Sequence, residues 1–171
     1  MGLRHATVLF SGPLWQAAAE ARSMLAEDWG VAVDTWSATS YTELRNDALS
    51  AERWNRLHPD EPPRVPYVTE ALGNGGGPVV AVSDYMRAVP DQVSRWVQRP
   101  WTSLGTDGFG RSDTRKALRR FFEIDAAHVV VAVLAALAAD GSGDATEVRQ
   151  AVERYGIDPT TPDPWSSGLQ P

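Results

Sequence analysis

Apolar and polar positions alternate along this chain in a strand–helix–strand rhythm. Residues 6–10 form a short β-type run closed by Ser11-Gly12-Pro13. Leu14, Ala18, Ala21 and Leu25 then recur at helical spacing, and Trp29-Gly30 ends that helix. Residues 31–37 alternate again, as a strand does. This predicts a β–α–β unit with a right-handed crossover and parallel strands. Residues 42–57 read as a helix broken near Ser50, with Ser40 or Thr42 as its cap. Four prolines exclude regular structure from 58–66, and 67–72 is of uncertain type. After the turn Gly73-Asn74-Gly75-Gly76-Gly77-Pro78, residues 79–83 give the clearest buried strand. A short helix (91–96), a short strand (101–104) and helices over 112–122, 126–140 and 145–155 follow. Val148, Ala151, Val152 and Tyr155 share one face of the last helix. The pattern predicts a three-layer α/β domain over 1–158. A Pro/Ser/Gly-rich tail, 159–171, reads as mobile or docked on a missing partner.

Composition narrows the class. With 171 residues, 43% hydrophobic and 22% charged, the chain fits one globular domain able to bury a core. A net charge of -6 disfavours nucleic acid, which needs a basic surface. The absence of cysteine removes disulfides, thiolate metal sites and a thiol nucleophile. The longest apolar run, 129–139, falls short of the roughly 18 residues a membrane span needs, so it predicts a buried helix. No long apolar signal opens the chain, and the reading is a cytoplasmic protein without a membrane partner.

Candidate chemistry is sparse. His5, His58 and His128 are scattered, with no second ligand at metal spacing. The loop Ser103-Leu104-Gly105-Thr106-Asp107-Gly108-Phe109-Gly110-Arg111-Ser112-Asp113 is the densest feature. It has two readings. Exposed amides at the following helix, helped by Arg111, could take an anion. Alternatively it is a tight turn whose glycines supply positive φ and whose Asp107 caps amides. The acidic pair Asp107 and Asp113 opposes the first. Seven tryptophans exceed what a domain of this size hides, which predicts an interface.

Several long segments in fixed order carry a family signal: AEDWGVAVDTWSATSYTELRNDAL, ERWNRLHPDEPPRVPYV, VVAVSDYMRAVPDQVSRWV, SLGTDGFGRSDTRKALRRFFEIDAAHVVVAVLAALA and AVERYGID. Together they resemble the C-terminal, transketolase-like domain of the homodimeric pyruvate dehydrogenase decarboxylating component, over roughly 25–158. The resemblance implies a mostly parallel sheet of about five strands between helices. It implies that thiamine diphosphate and Mg serve the assembled enzyme, with no catalytic, cofactor or metal residue assigned to this chain. Partners would be the thiamine-binding domains or subunits of the same enzyme, with a lipoyl or acyl-carrier domain as acceptor of the two-carbon unit. Interface candidates are Asp107, Phe109, Arg111 and Asp113, with Trp54 and Arg64 behind them. The first turn, Ser11-Gly12-Pro13-Leu14-Trp15, departs from the family's Ser-Gly-Thr type. With the Met1 start, this suggests a separate subunit of a split enzyme. The rival reading is a stand-alone anion-binding or regulatory module.

Overall fold

The computed structural model describes residues 3–166. Strand β1 (Arg4–Phe10) leads through a 3-10 turn (Gly12–Leu14) into helix α1 (Trp15–Trp29) and strand β2 (Val31–Ser37). Helices α2 (Tyr41–Leu57) and α3 (Tyr67–Gly73) precede strand β3 (Val79–Val82). Helix α4 (Ala88–Ser94) and strand β4 (Trp101–Leu104) come next, then α5 (Arg115–Phe121), α6 (Ala126–Ala139) and α7 (Ala145–Arg154).

The sheet order is β2-β1-β3-β4 and every pairing is parallel. Registers run Arg4 on Val31, Thr7 on Val79 and Val79 on Trp101. Side chains alternate across the sheet and fill two cores. On one face, Ala6, Val8, Val80 and Val82 pack with α1 and α6. On the other, Leu9, Val79 and Ala81 pack with α2, α3 and α4. Helices on both faces explain why all four residues of β3 are buried, and why β3 reads as an unbroken apolar run.

Helix α6 is apolar almost all round because α1, α7, β3 and β4 surround it. A stretch within Arg115–Ala139 matches a membrane span by length and composition. The chain breaks between α5 and α6, however, and Val129, Val130, Val133, Leu134 and Leu137 lie in the core. At 14 residues α6 is about 21 Å long, short of the about 30 Å of bilayer hydrocarbon.

The structure revises several expectations. The described residues hold the four strands read from the pattern and not the about five that the resemblance implied, because everything after β4 that packs regularly is helical. Helix α2 runs unbroken past Ser50, since Ala48 and Ala51 on either side are buried against the core face. Ser40 is its cap, accepting from the Glu43 amide at 3.2 Å. Residues 67–73 are helical, anchored by buried Val68 and Leu72. Helix α5 begins at Arg115, because Thr114 is extended and its hydroxyl accepts from the Ala117 amide.

Asp125 caps α6. Its Oδ1 accepts from the His128 amide at 3.0 Å and meets the His128 Nδ1 at 2.6 Å. Burial alone would raise this carboxyl, but the His128 hydrogen bonds outweigh it and hold it below the ordinary carboxylate range. A depressed folded-state pKa stabilises above the unfolded value of about 3.9 and is lost as pH falls through the folded value. Asp125→Ala should cost about 1–2 kcal/mol at pH 7. In urea titrations the gap to the native chain should narrow steadily below about pH 4. A gap that stays constant down to pH 2 contradicts this account.

Candidate docking interface

In an open parallel sheet, the crevice at the carboxyl ends of the strands opens where the strand order reverses. Here that point lies between β1 and β3. Beyond β1 the Ser11 amide donates to Val82 O at 3.3 Å, and the Ser11 hydroxyl is buried with no partner. Beyond β3, buried Ser83 and then Asp84 lead into α4. Beyond β4 the glycine loop returns to the same place. Thr106 donates from its amide to Tyr85 O (2.9 Å) and from its hydroxyl to Asp84 O (2.8 Å). Pro13, Asp84, Thr106, Asp113 and Phe122 line a cleft of about 470 Å³ beside it.

The loop's polar groups are engaged by the chain itself. Asp107 accepts from the Arg87 amide at 3.2 Å and forms an ion pair with the Arg87 side chain. Asp113 accepts from the Thr114 amide at 2.6 Å. The Arg111 guanidinium stands 4.1 Å over the Phe121 ring. This is a turn, but it differs from the tight-turn reading twice: of its three glycines only Gly108 has positive φ, and the amide that Asp107 caps belongs to Arg87, twenty residues earlier. An anion in this cleft would meet Asp84 and Asp113 together with Arg115 and Arg119, while Arg87 is already paired with Asp107.

The loop also offers an apolar group outward, beside exposed Arg111, Ser112 and Asp113. Phe109 is 67% exposed. Trp15, Tyr85 and Met86, from the two neighbouring strand-to-helix connections, are each more than half exposed. All three connections therefore present a large apolar side chain at one end of the sheet. Of the seven tryptophans only Trp96 is buried, and Trp15, Trp36 and Trp165 are exposed.

Trp54 and Arg64 form a separate group. Arg64 lies 3.5 Å over the Trp54 ring, whose other neighbour His58 stacks at 3.6 Å. Asn55 clamps the Arg64 backbone with hydrogen bonds of 2.7 and 2.9 Å. The proline segment is thereby fixed without being a regular element. Leu57, Val65 and Tyr67 stand exposed along it. The structure thus keeps Asp107, Phe109, Arg111 and Asp113 on one loop, and separately holds Trp54 of α2 against Arg64 of the proline segment.

Sequence reasoning missed Arg87 and Trp165 as members of the loop group. The Trp165 ring lies 4.5 Å from the Arg87 guanidinium. A lone tryptophan beside a proline in an otherwise small-residue tail was the available signal.

Among the described residues, no three His, Asp or Glu side chains converge on one point. The carboxyls of Glu52, Asp144 and Asp158 shift downward, because hydrogen bonds from the Trp96 side chain, the Thr146 amide and the Thr160 hydroxyl respectively favour the anion.

Comparisons with known proteins give the chain a family. The model of the transketolase-like TK C-terminal domain family matches residues 2–125. The pyruvate dehydrogenase E1 component of Mycolicibacterium smegmatis is 52% identical over 155 residues, 91% of this chain. Those of Mycobacterium tuberculosis and Escherichia coli K12 are 53% and 46% identical over 90% and 88% of it. The chain spans only 17%, 16% and 17% of the lengths of these three relatives. Transketolase from Leishmania mexicana superposes with a TM-score of 0.45 at 20% identity, over 96% of this chain and 18% of the other. The chain belongs to the transketolase-like TK C-terminal domain family.

Proposed function

We propose that this chain is the assembly part of a thiamine-diphosphate pyruvate dehydrogenase decarboxylating enzyme and supplies surface, not reacting groups. The observation that carries the reading is one of proportion: about half the residues are identical to those relatives over nine-tenths of this chain, yet it spans less than a fifth of their length. The donor geometry supports it, since the clustered polar groups hold the fold together. Thiamine diphosphate and magnesium then belong to the other domains or subunits, where the cofactor supplies the carbanion chemistry. The substrate is pyruvate or a similar 2-oxo acid, and the two-carbon unit passes to a lipoyl or carrier thiol in the cytoplasm. The chain's share is the carboxyl-end face: Phe109 as an aromatic anchor, Asp107, Arg111 and Asp113 shaping its loop, and Trp54 and Arg64 bracing the proline segment for a second contact. Buried aromatics dominate such interfaces.

The test is a chimera. The matching region of the M. smegmatis relative is deleted, or replaced by this chain. Dimer formation and pyruvate decarboxylation with an artificial electron acceptor are then measured. The deletion should abolish both, and the replacement should restore both to within about tenfold of the parent. A chimera no better assembled than the deletion contradicts the proposal, as does turnover of pyruvate by this chain alone.

A further inference from the structure

Residues 159–166, expected to be mobile or docked elsewhere, cross the chain's own glycine loop; 167–171 lie outside the described residues. Turns at Asp158–Thr161 and Asp163–Ser166 carry the segment round, with amide-to-carbonyl bonds of 3.2 and 2.9 Å. Pro164 is buried. The Trp165 ring covers the face of Arg87, while an edge of the same guanidinium binds Asp107. One cation thus ties the chain end to the loop. The backbones are fitted as well. Gly108 has φ +102°, and a Cβ there would stand 2.9 Å from the Trp165 Cα and 3.1 Å from Pro164 O. Arg87, Asp91, Ser103, Asp107 and Trp165 wall an open cavity of about 590 Å³ under this crossing. Residues 159–166 stand outside both core clusters, and Pro164 and Trp165 meet the rim of one of them beside Leu104 and Phe122.

We propose that residues 159–166 are a strap that locks the glycine loop in shape, and that the strap opens without unfolding the domain. When Trp165 sits on Arg87, the guanidinium is shielded on one face and its pairing with Asp107 is strengthened by the drier surroundings. When Trp165 lifts, water reaches the pair, the backbone of Gly108 loses its neighbour, and the loop that carries Phe109 loosens. Lifting also frees the Arg87 face at the edge of the cavity. The strap goes beyond the docking role and needs only this chain, so its test stands or falls separately from the chimera.

Hydrogen exchange on the full chain reads loop, strap and core in one experiment. In Trp165→Ala, amides of residues 105–113 should exchange about tenfold faster or more, with α6 and β3 unchanged. Trp15→Ala, which removes a more exposed tryptophan at the start of α1, should leave the loop as it was. Gly108→Ala should act from the other side and speed exchange within 159–166. The strap is refuted if loop exchange in Trp165→Ala stays within twofold of the native chain. Loss of core protection in the same variant refutes it too, since the strap would then be part of the global fold.

Discussion

Gly77→Ala should be the most damaging single methyl in this protein, costing more than about 4 kcal/mol and leaving little soluble chain. Gly77 stands just before β3 with φ +66°, facing β1. A Cβ built there overlaps the His5 carbonyl oxygen and lies 2.9 Å from its carbon. Backbone cannot swing aside as a side-chain tip can. The only relief is to separate β3 from β1, which breaks the bond from the Thr7 amide to Pro78 O at 2.9 Å. That pairing is the centre of the four-stranded sheet. Gly30 makes the comparison clean. Its φ is +62°, and nothing lies within 4 Å of its would-be Cβ. Gly30→Ala should therefore show the left-handed strain alone, about 1–2 kcal/mol. Urea denaturation of the two variants side by side checks this. Equal and mild losses would mean the close approach at Gly77 is easily relieved.

Arg99→Ala should cost about 3 kcal/mol, a large effect for a partly exposed residue. The Arg99 Nε donates to Gly77 O at 2.8 Å and Nη1 to Leu72 O at 3.1 Å. Nη2 reaches the Thr7 hydroxyl at 2.9 Å and the carbonyls of Gly76 and Pro78. One guanidinium thus stitches the Gly73–Pro78 turn to β1 and to the end of α3. Burial lowers the pKa of this group, and the nearby Asp34 charge pushes the other way. An arginine remains charged in either case. A lysine cannot span these acceptors, because its three donors share one nitrogen. Arg99→Lys should therefore recover less than half of the loss in the same urea titration. Full recovery by lysine would show that charge, and not the fork of donors, holds the turn.

The chain's periodicity was sufficient for the main strands and helices. Val79–Val82 reads as a strand because β3 is covered on both faces, and an apolar run has no other use there. Helix α1 reads from Leu14, Ala18, Ala21 and Leu25, which are the residues that face the sheet. Short elements were less legible. Only Val68 and Leu72 of α3 are buried, too few to establish a period, and part of its stability comes from the Tyr67 amide bonding to Asp47 on α2, 2.7 Å away. The apparent break at Ser50 vanished because tertiary packing of Ala48 and Ala51 overrides the weak propensity of one serine.

The candidate interface divides in the same way. Glycine spacing marks the loop of Asp107, Phe109, Arg111 and Asp113, because close turns demand glycine wherever they occur. The partnership of Asp107 with Arg87 and of Arg87 with Trp165 could not be read, since those residues lie 20 and 78 positions apart and meet only once β3, β4 and the chain end are placed. Local sequence determined the layers, the parallel strands and the loop, because backbone propensity and side-chain alternation act over a few residues. Tertiary structure alone decided that Asp107 meets Arg87, that large exposed apolar side chains and carboxylates share the sheet's carboxyl end, and that residues 159–166 lie across their own loop. Those outcomes depend on contacts between distant segments, and a linear pattern carries no record of which distant surfaces will meet.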